Sequence, residues 1–394
     1  MICPSVLEEV LNAVASDPPM VNAGPRPVRI SSPPGRLEAT VPLLESLRDA
    51  VGDVPAILAL ALKIGRTAPR TGEGDTAHLW EPLACVTAVD VAAGRVLEPH
   101  LDAISILTQA EFNAGTGAGP DALEQARDTE DQTWGVFAAE ASGLRLEAAP
   151  GGAGGYVLNG SKPWCSLAGQ LDRAVVTAYL AGGASSGDPG GGARAAFAVR
   201  LHDPGVFCET PQWSSRSLRE IPSGTVRFEG VCAVPVGGPG WYFERPGFAW
   251  GGMGVAACWL GGTIAVARDF RSALATAAKG GSEPDQIALA HLGETDRTIM
   301  SLIGCLARAA ARIDAGDLSG PEARSEALRV RGAVAAGVER IQAMVVQNLG
   351  PGPLAFNETY GKRMADLSLY IRQHHAMRDD AQLGALTLKG DTSW

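Results

Sequence analysis

A chain of 394 residues, with 46% apolar and 19% charged side chains, is long enough for two or three domains and too apolar to be disordered. Its net charge of −10, with no lysine and arginine cluster interleaved with aromatics, excludes an electrostatic nucleic-acid footprint. Seven cysteines without a C-x-x-C pair exclude a disulfide framework and a thiolate zinc centre, so no metal site is expected.

The first stretch, MICPSVLEEVLNAVASDPP, has neither the basic region nor the continuous apolar core of a signal peptide, and a short helix is predicted over 5–15. A leader rich in proline, serine and glycine, 18–36, follows as extended chain. From 41 to 133 the apolar residues recur at helical spacing, as in VPLLESLRDAV and LWEPLACVTAVDVAAGRVLEPHLDAISILTQAEF. At Trp134 the period shortens to two in GYVLNG, LDRAVVTAYL, ARAAFAVRL and GTVRFEG, which predicts antiparallel β structure, with AGGASSGDPGGGARA (181–195) as a hairpin tip. Helical spacing then returns in four long segments near 248–279, 284–316, 321–349 and 360–388. The longest apolar run, 253–267, falls short of the roughly 20 residues that cross a bilayer, so a cytoplasmic protein without a membrane span is expected. The fold class is α+β: an N-terminal helical domain over 1–133, an antiparallel β domain over 134–235 and a C-terminal helical bundle over 236–394.

Three groups of side chains stand out. In YVLNGSKPWCSLAG, Trp164 and Ser166 set an aromatic wall beside a hydroxyl two positions along a strand. A flat ring with an apolar face and a hydrogen-bonding edge needs such a pair; a core tryptophan with a serine turned to water is the plain alternative. In LYIRQHHAMRDD, His374 and His375 are adjacent, and on a helix neighbours point about 100° apart, so at most one faces inward. Taken by itself the pair is solvated helix surface. His100 reads as a partly buried histidine between helices, paired with Glu98 or Asp102, while Glu140 and Asp366 read as structural carboxylates.

The order of helices, β insert and helices, with WGVFAAEASGLRLEA and LNGSKPWCSLAGQLDRAVVTA inside the insert, resembles the acyl-CoA dehydrogenase superfamily of flavoproteins. PGWYFERPGF and LGPGPLAFNETYGKRMADL resemble later landmarks of that family, so nearly the whole chain is covered. The resemblance implies that Trp164 packs on the flavin ring, that Ser166 bonds near its N5, and that the backbone of Ala139 meets the flavin edge. Here Ala139-Glu140-Ala141 stands where the family has threonine before Glu-Pro. Gln347, Gly350 and Gly352 retain part of a glutamine-plus-glycines motif, whereas the family's arginine-aromatic-glycine motif is not recognisable in RDFRSALATAAKGG, which implies a loosely held, exchangeable flavin. The family further implies a homodimer or tetramer.

Three functions stay open on this resemblance. The first is an FAD-dependent dehydrogenase, removing a proton and a hydride from an acyl thioester of coenzyme A or a carrier protein, or a related carbonyl compound. His374, eight residues after Asp366, then replaces the usual glutamate base, and an electron-transfer protein is the partner. The second is a two-component monooxygenase that takes reduced FMN or FAD from a flavin reductase, with His100, ten residues after Asp90, joining Ser166 and His374 around the flavin. The third is a non-redox binding or assembly protein on the same fold. A small-molecule substrate is expected for both enzymes.

Overall fold

A computed structural model describes residues 25–113, 131–182 and 192–390. The helix expected over 5–15 and the tip of the expected hairpin, 183–191, lie outside the described residues, as does Cys3. Among the described residues every cysteine is a free thiol, and no three histidine, cysteine, aspartate or glutamate side chains gather as a metal site.

The first layer is helical. A short α1 (Pro34–Glu38) leads to α2 (Val41–Ala50), α3 (Val54–Gly65), α4 (Thr76–Val89) and α5 (Val91–Asn113). Ile57, Leu58, Ala61 and Ile64 of α3 are buried at the spacing of one helix face, and Asp53 caps its first turn by accepting from the Ala56 N–H. Asp90 separates α4 from α5 and caps α5, its Oδ1 accepting from the Ala93 N–H at 2.8 Å.

Seven strands follow: β1 (Trp134–Phe137), β2 (Leu146–Pro150), β3 (Tyr156–Ser166), β4 (Arg173–Leu180), β5 (Arg194–Arg200), β6 (Val206–Cys208) and β7 (Ser223–Val236). They run in the order β1-β4-β2-β3-β7-β5, and β4 also pairs β5, so five of them close into a flattened barrel with β1 and β6 added at its sides. The sheet corrects the antiparallel expectation, because β4 is parallel to both β1 and β2. A period of two reports which face a side chain takes and says nothing of the neighbour's direction. β4 has six consecutive buried residues, as expected of a strand covered on both faces. The sheet seats on α5 through Trp134, Val175, Ala196 and Val236, which pack with Ala103, Ile106 and Leu107.

The C-terminal layer comprises α6 (Trp241–Glu244), α7 (Pro246–Lys279), α8 (Gln286–Asp314), α9 (Gly320–Leu349), α10 (Pro351–Phe356), α11 (Glu358–Tyr370) and α12 (Met377–Lys389). α7 runs through the middle and packs on α4, α5, α8, α9 and α11. At Gly261 a Cβ would overlap the Ala84 carbonyl, so α4 and α7 touch backbone to backbone. Its apolar stretch exceeds the run counted from sequence: α7 is long and apolar enough to cross a bilayer, and 78% of its most apolar window is buried inside this protein. The continuous helix expected over 360–388 is broken. α11 ends at Tyr370, a single 3₁₀ turn occupies Ile371–Gln373, and α12 begins at Met377.

Candidate functional site

Near the end of β3 the ladder with β7 is irregular: between Lys162 and Cys165 the register slips, and Pro163 offers no N–H to it. Trp164 sits in this bulge at φ +59°, a left-handed conformation that costs a bulky residue about 1–2 kcal/mol. Its indole is 58% exposed while Pro163 and Cys165 on either side are buried. The local backbone therefore turns a large flat side chain out of the sheet. Ser166 shares a hydrogen bond with Ser223 on β7, Oγ to Oγ 2.6 Å.

Lys162, fully buried, donates to Glu140 Oε1 at 2.6 Å and to Thr177 Oγ1 at 2.9 Å, and Arg194 flanks the same carboxylate at 3.7 Å. Burial holds the Lys162 ammonium below the usual lysine range, with Glu140 opposing the shift. Glu140 is thus engaged in an ion pair, and that pair ties the exposed Ala139 to β3, two residues before Trp164.

The sheet is anchored to the bundle beside this end. The Leu218 N–H donates to Asp366 Oδ1 at 2.6 Å, and Lys362 bridges Asp366 Oδ2 and Asp90 Oδ2 at 2.7 Å each, with Glu220 at 3.6 Å. One ammonium serves three carboxylates from three parts of the fold. Burial raises the Asp366 carboxyl, with Lys362 and the Leu218 N–H pulling it back.

One turn beyond Asp366 lies the break that carries the histidines. His374 has extended backbone, φ −82° and ψ 125°, and Ala376 sits at φ 48° and ψ −124°, where a non-glycine residue is strained. Two side chains hold this shape. Arg331 of α9 donates to the carbonyls of Gln373 at 2.8 Å and Gly252 at 2.9 Å while lying 4.7 Å over the Trp259 ring. Asp379 accepts from the His375 N–H at 3.1 Å, a reversed cap for α12.

The two histidines differ sharply. His374 is 9% exposed, its ring lies against Gly332 of α9, and its Nε2 is 3.7 Å from Asp379 Oδ2 without a hydrogen bond. Burial, helped by Arg331, lowers its pKa below the usual histidine value despite Asp379, so it is a neutral imidazole at neutral pH. His375 is 66% exposed, with Nδ1 3.2 Å from Asp379 Oδ1.

His100 is not brought to this place. It turns to α3, where a Cβ on Gly65 would stand 2.6 Å from its Nε2, and neither ring nitrogen has a hydrogen-bond partner. The expected pairing with Glu98 or Asp102 is absent, because two positions along a helix put a side chain about 200° away. Burial and Arg70 lower the His100 pKa from 6.5 to about 4. The opposite face of α5 carries what the sequence reading passed over: Glu98, 3.5 Å from Arg95, and Asp102, 4.0 Å from Arg245. Desolvation is the main cause raising both carboxyls, Glu98 to about 7. The signal was present as two carboxylates at i and i+4, on one face of a helix and set among apolar residues.

Gln347 and Gly350 also stand apart. Gln347 is exposed, sixteen residues and so about 24 Å along α9 from Arg331. Gly350 ends α9 at φ +66°. In the stretch where a diphosphate-binding arginine was sought, Arg268 donates to the carbonyls of Arg26 and Pro27, and Asp269 pairs with Arg363.

No family model matches the chain, and no curated protein matches it in sequence. Solved structures do match over nearly their full length. KijD3, in complex with FMN and a dTDP-linked amino-keto sugar, has TM-score 0.75 at 18% identity, covering 91% of this chain and 95% of its own. TdsC from Paenibacillus sp. A11-2 with FMN and indole has TM-score 0.71 at 19% identity, covering 90% and 96%. Butyryl-CoA dehydrogenase from Megasphaera elsdenii has TM-score 0.68 at 17% identity, covering 88% and 97%.

Proposed function

Because this chain has the acyl-CoA dehydrogenase fold, we propose that it is a flavin-dependent oxidoreductase acting on a small molecule, and that it takes its flavin as an exchangeable, reduced co-substrate in a two-component monooxygenase. The observation that carries the flavin assignment is Trp164, a strained and exposed indole two residues before the Ser166 hydroxyl, on the sheet that Leu218 anchors to Asp366 of α11, the helix that leads to the His374 turn. A left-handed tryptophan is retained against a steric penalty where its exposed face has a use, and a flavin ring fits that face. Trp164 would hold the ring, and Ser166 and the backbone of Ala139 would meet its polar edge. Flavin, when bound, supplies the redox chemistry.

What favours exchangeable flavin over a resident FAD is the state of the arginines. Arg268 and Arg363 are engaged by the chain itself, and Gln347 and Gly350 offer no cation for a diphosphate. The FMN complexes of KijD3 and TdsC support the same reading. A flavin reductase is then the partner.

A dehydrogenase acting on a thioester or related carbonyl is the second reading, favoured by one observation: the His374 ring is largely shielded in an otherwise exposed turn and held neutral, as a base must be. Titrating the purified protein with FAD, oxidised FMN and photoreduced FMN separates the two. A colourless protein that binds reduced FMN more tightly than oxidised supports the monooxygenase; a yellow protein with tight FAD supports the dehydrogenase. Absence of binding in every form would overturn the flavin assignment.

The same reading expects a homodimer or tetramer. Phe356, 76% exposed, and the exposed Leu354 lie on α10 directly after Gly350, which supports an interface there. Light scattering that gave only a 40.7 kDa monomer would remove this expectation.

A further inference from the structure

We infer that Glu98 is a second proton-transfer group of this site, working beside His374 and linked to it through Arg331. The inference deepens the functional reading above and rests on it for the place where the substrate lies.

Glu98 and Asp102 share the face of α5 that looks toward α7 and α9. α7 is bare opposite them: a Cβ on Gly251 would stand 2.8 Å from Asp102 Oδ1, and one on Gly252 would stand 3.4 Å from the Arg331 side chain. The Glu98 side chain keeps 11% exposure, and its nearest cation, Arg95, is 3.5 Å away. Arg331, which feels the Glu98 charge, has its own donors committed to Gly252 and Gln373. The guanidinium therefore holds the residue preceding His374 by a direct hydrogen bond while it acts on the α5 carboxylate through charge alone, without a hydrogen bond to it.

The groups facing Glu98 come from every side. Arg95 and Asp102 share its helix, Arg331 comes from α9, Tyr370 from α11, Cys258 from α7 and Tyr242 from α6. Burial is the largest influence and raises the carboxyl, Asp102 raises it further, and Arg95 and Arg331 lower it. The result, about 7, is where a carboxyl both gives and takes a proton at neutral pH. In its step the carboxylate forms an O–H bond as an N–H, O–H or C–H bond of the substrate breaks, and the electron pair stays with the substrate.

Full-length protein carrying glutamate labelled with ¹³C at the carboxyl carbon, followed by NMR across the neutral range, tests this. One carboxyl resonance should titrate near neutrality and be missing in Glu98→Gln. Arg331→Met should move the Glu98 midpoint upward in these spectra and the His374 midpoint upward in imidazole ring-proton spectra, because the same cation lowers both. If Glu98→Gln does not fold, Asp102→Asn identifies the resonance by moving it to lower pH. A Glu98 carboxyl that titrates in the ordinary acidic range overturns the inference, and so does a midpoint unmoved in Arg331→Met. The second arm follows reoxidation of photoreduced FMN on the protein against pH: loss of the neutral limb in Glu98→Gln, retained in His375→Ala, is expected, and an unchanged profile counts against Glu98. The carboxyl titration reads out without flavin, so failure of FMN to bind strikes the functional reading and not this one.

Discussion

Arg331 on α9 donates to the Gln373 carbonyl 2.8 Å away, and so fixes the main chain one residue before His374. The same guanidinium grips Gly252 of α7, so the turn that carries the histidines is held by two helices distant in sequence. Which histidine matters follows from that turn.

His374→Ala should slow a proton-dependent step by about 10²–10⁴-fold, whereas His375→Ala should stay within about twofold of the parent. Because the His374 pKa is lowered, the neutral form should persist as pH falls past the ordinary histidine range and be lost only below it. Stopped-flow oxidation or bleaching of bound flavin measures both variants; a slower His375→Ala would assign the chemistry to the wrong ring here.

Trp164→Ala should weaken flavin binding by about 1–3 kcal/mol, tenfold or more, through loss of the stacking surface. Trp164→Gly should weaken it as much while unfolding at the same temperature as the parent or higher, since glycine accepts φ +59° without the steric cost. Fluorescence titration and calorimetry report the two effects separately. Unaltered affinity in both variants would place the ring elsewhere.

Asp366→Ala should destabilise the fold by about 1–3 kcal/mol, because it leaves the buried Leu218 N–H without its acceptor, while Lys362 keeps Asp90 and Glu220 as partners. Urea denaturation gives the value. A loss below about 1 kcal/mol would mean that the anchor between sheet and bundle lies elsewhere.

His100 and Glu98 should write opposite slopes into the pH dependence of stability. His100 is neutral when folded, so its contribution is complete above pH 6.5 and is lost as pH falls toward about 4. Glu98 has a raised carboxyl, so its contribution is complete below pH 4.5 and is lost as pH rises to about 7. Each shift corresponds to about 3 kcal/mol, and the two nearly cancel where the windows overlap. The parent Tm should therefore be nearly flat from about pH 4.5 to 6.5 on account of this pair. His100→Gln should expose the falling slope and Glu98→Gln the rising one, read by calorimetry at matched ionic strength; two flat variants would show that neither group is desolvated as described.

Much of the fold was legible because the change from a period of 3.6 to a period of two and back marks where strands replace helices. Strand direction was not, since nothing in the apolar residues of β1 and β4 marks which way the neighbouring strand runs. The break at 371–376 was hidden for a different reason: LYIRQHHAMRDD contains neither glycine nor proline, and the shape of the turn is held by Arg331, forty residues earlier on α9, together with Asp379 within the stretch. Trp164 and Ser166 were visible by spacing, but the left-handed turn that exposes the indole depends on the bulge with β7. Counting ten residues from Asp90 selected His100, while the helix presents Glu98 and Asp102 to the bundle centre; a landmark count gives a position and not a face.

The central place of α7 also sets an order of events during synthesis. α4 and α5 are complete by residue 113, yet the helix that covers them ends at residue 279, after the whole sheet. Until then the nascent chain carries Trp80 and Leu83 without the stretch of α7 around Gly254 that they later meet. Slow translation through the sheet would prolong the exposure of that surface to chaperones and to aggregation.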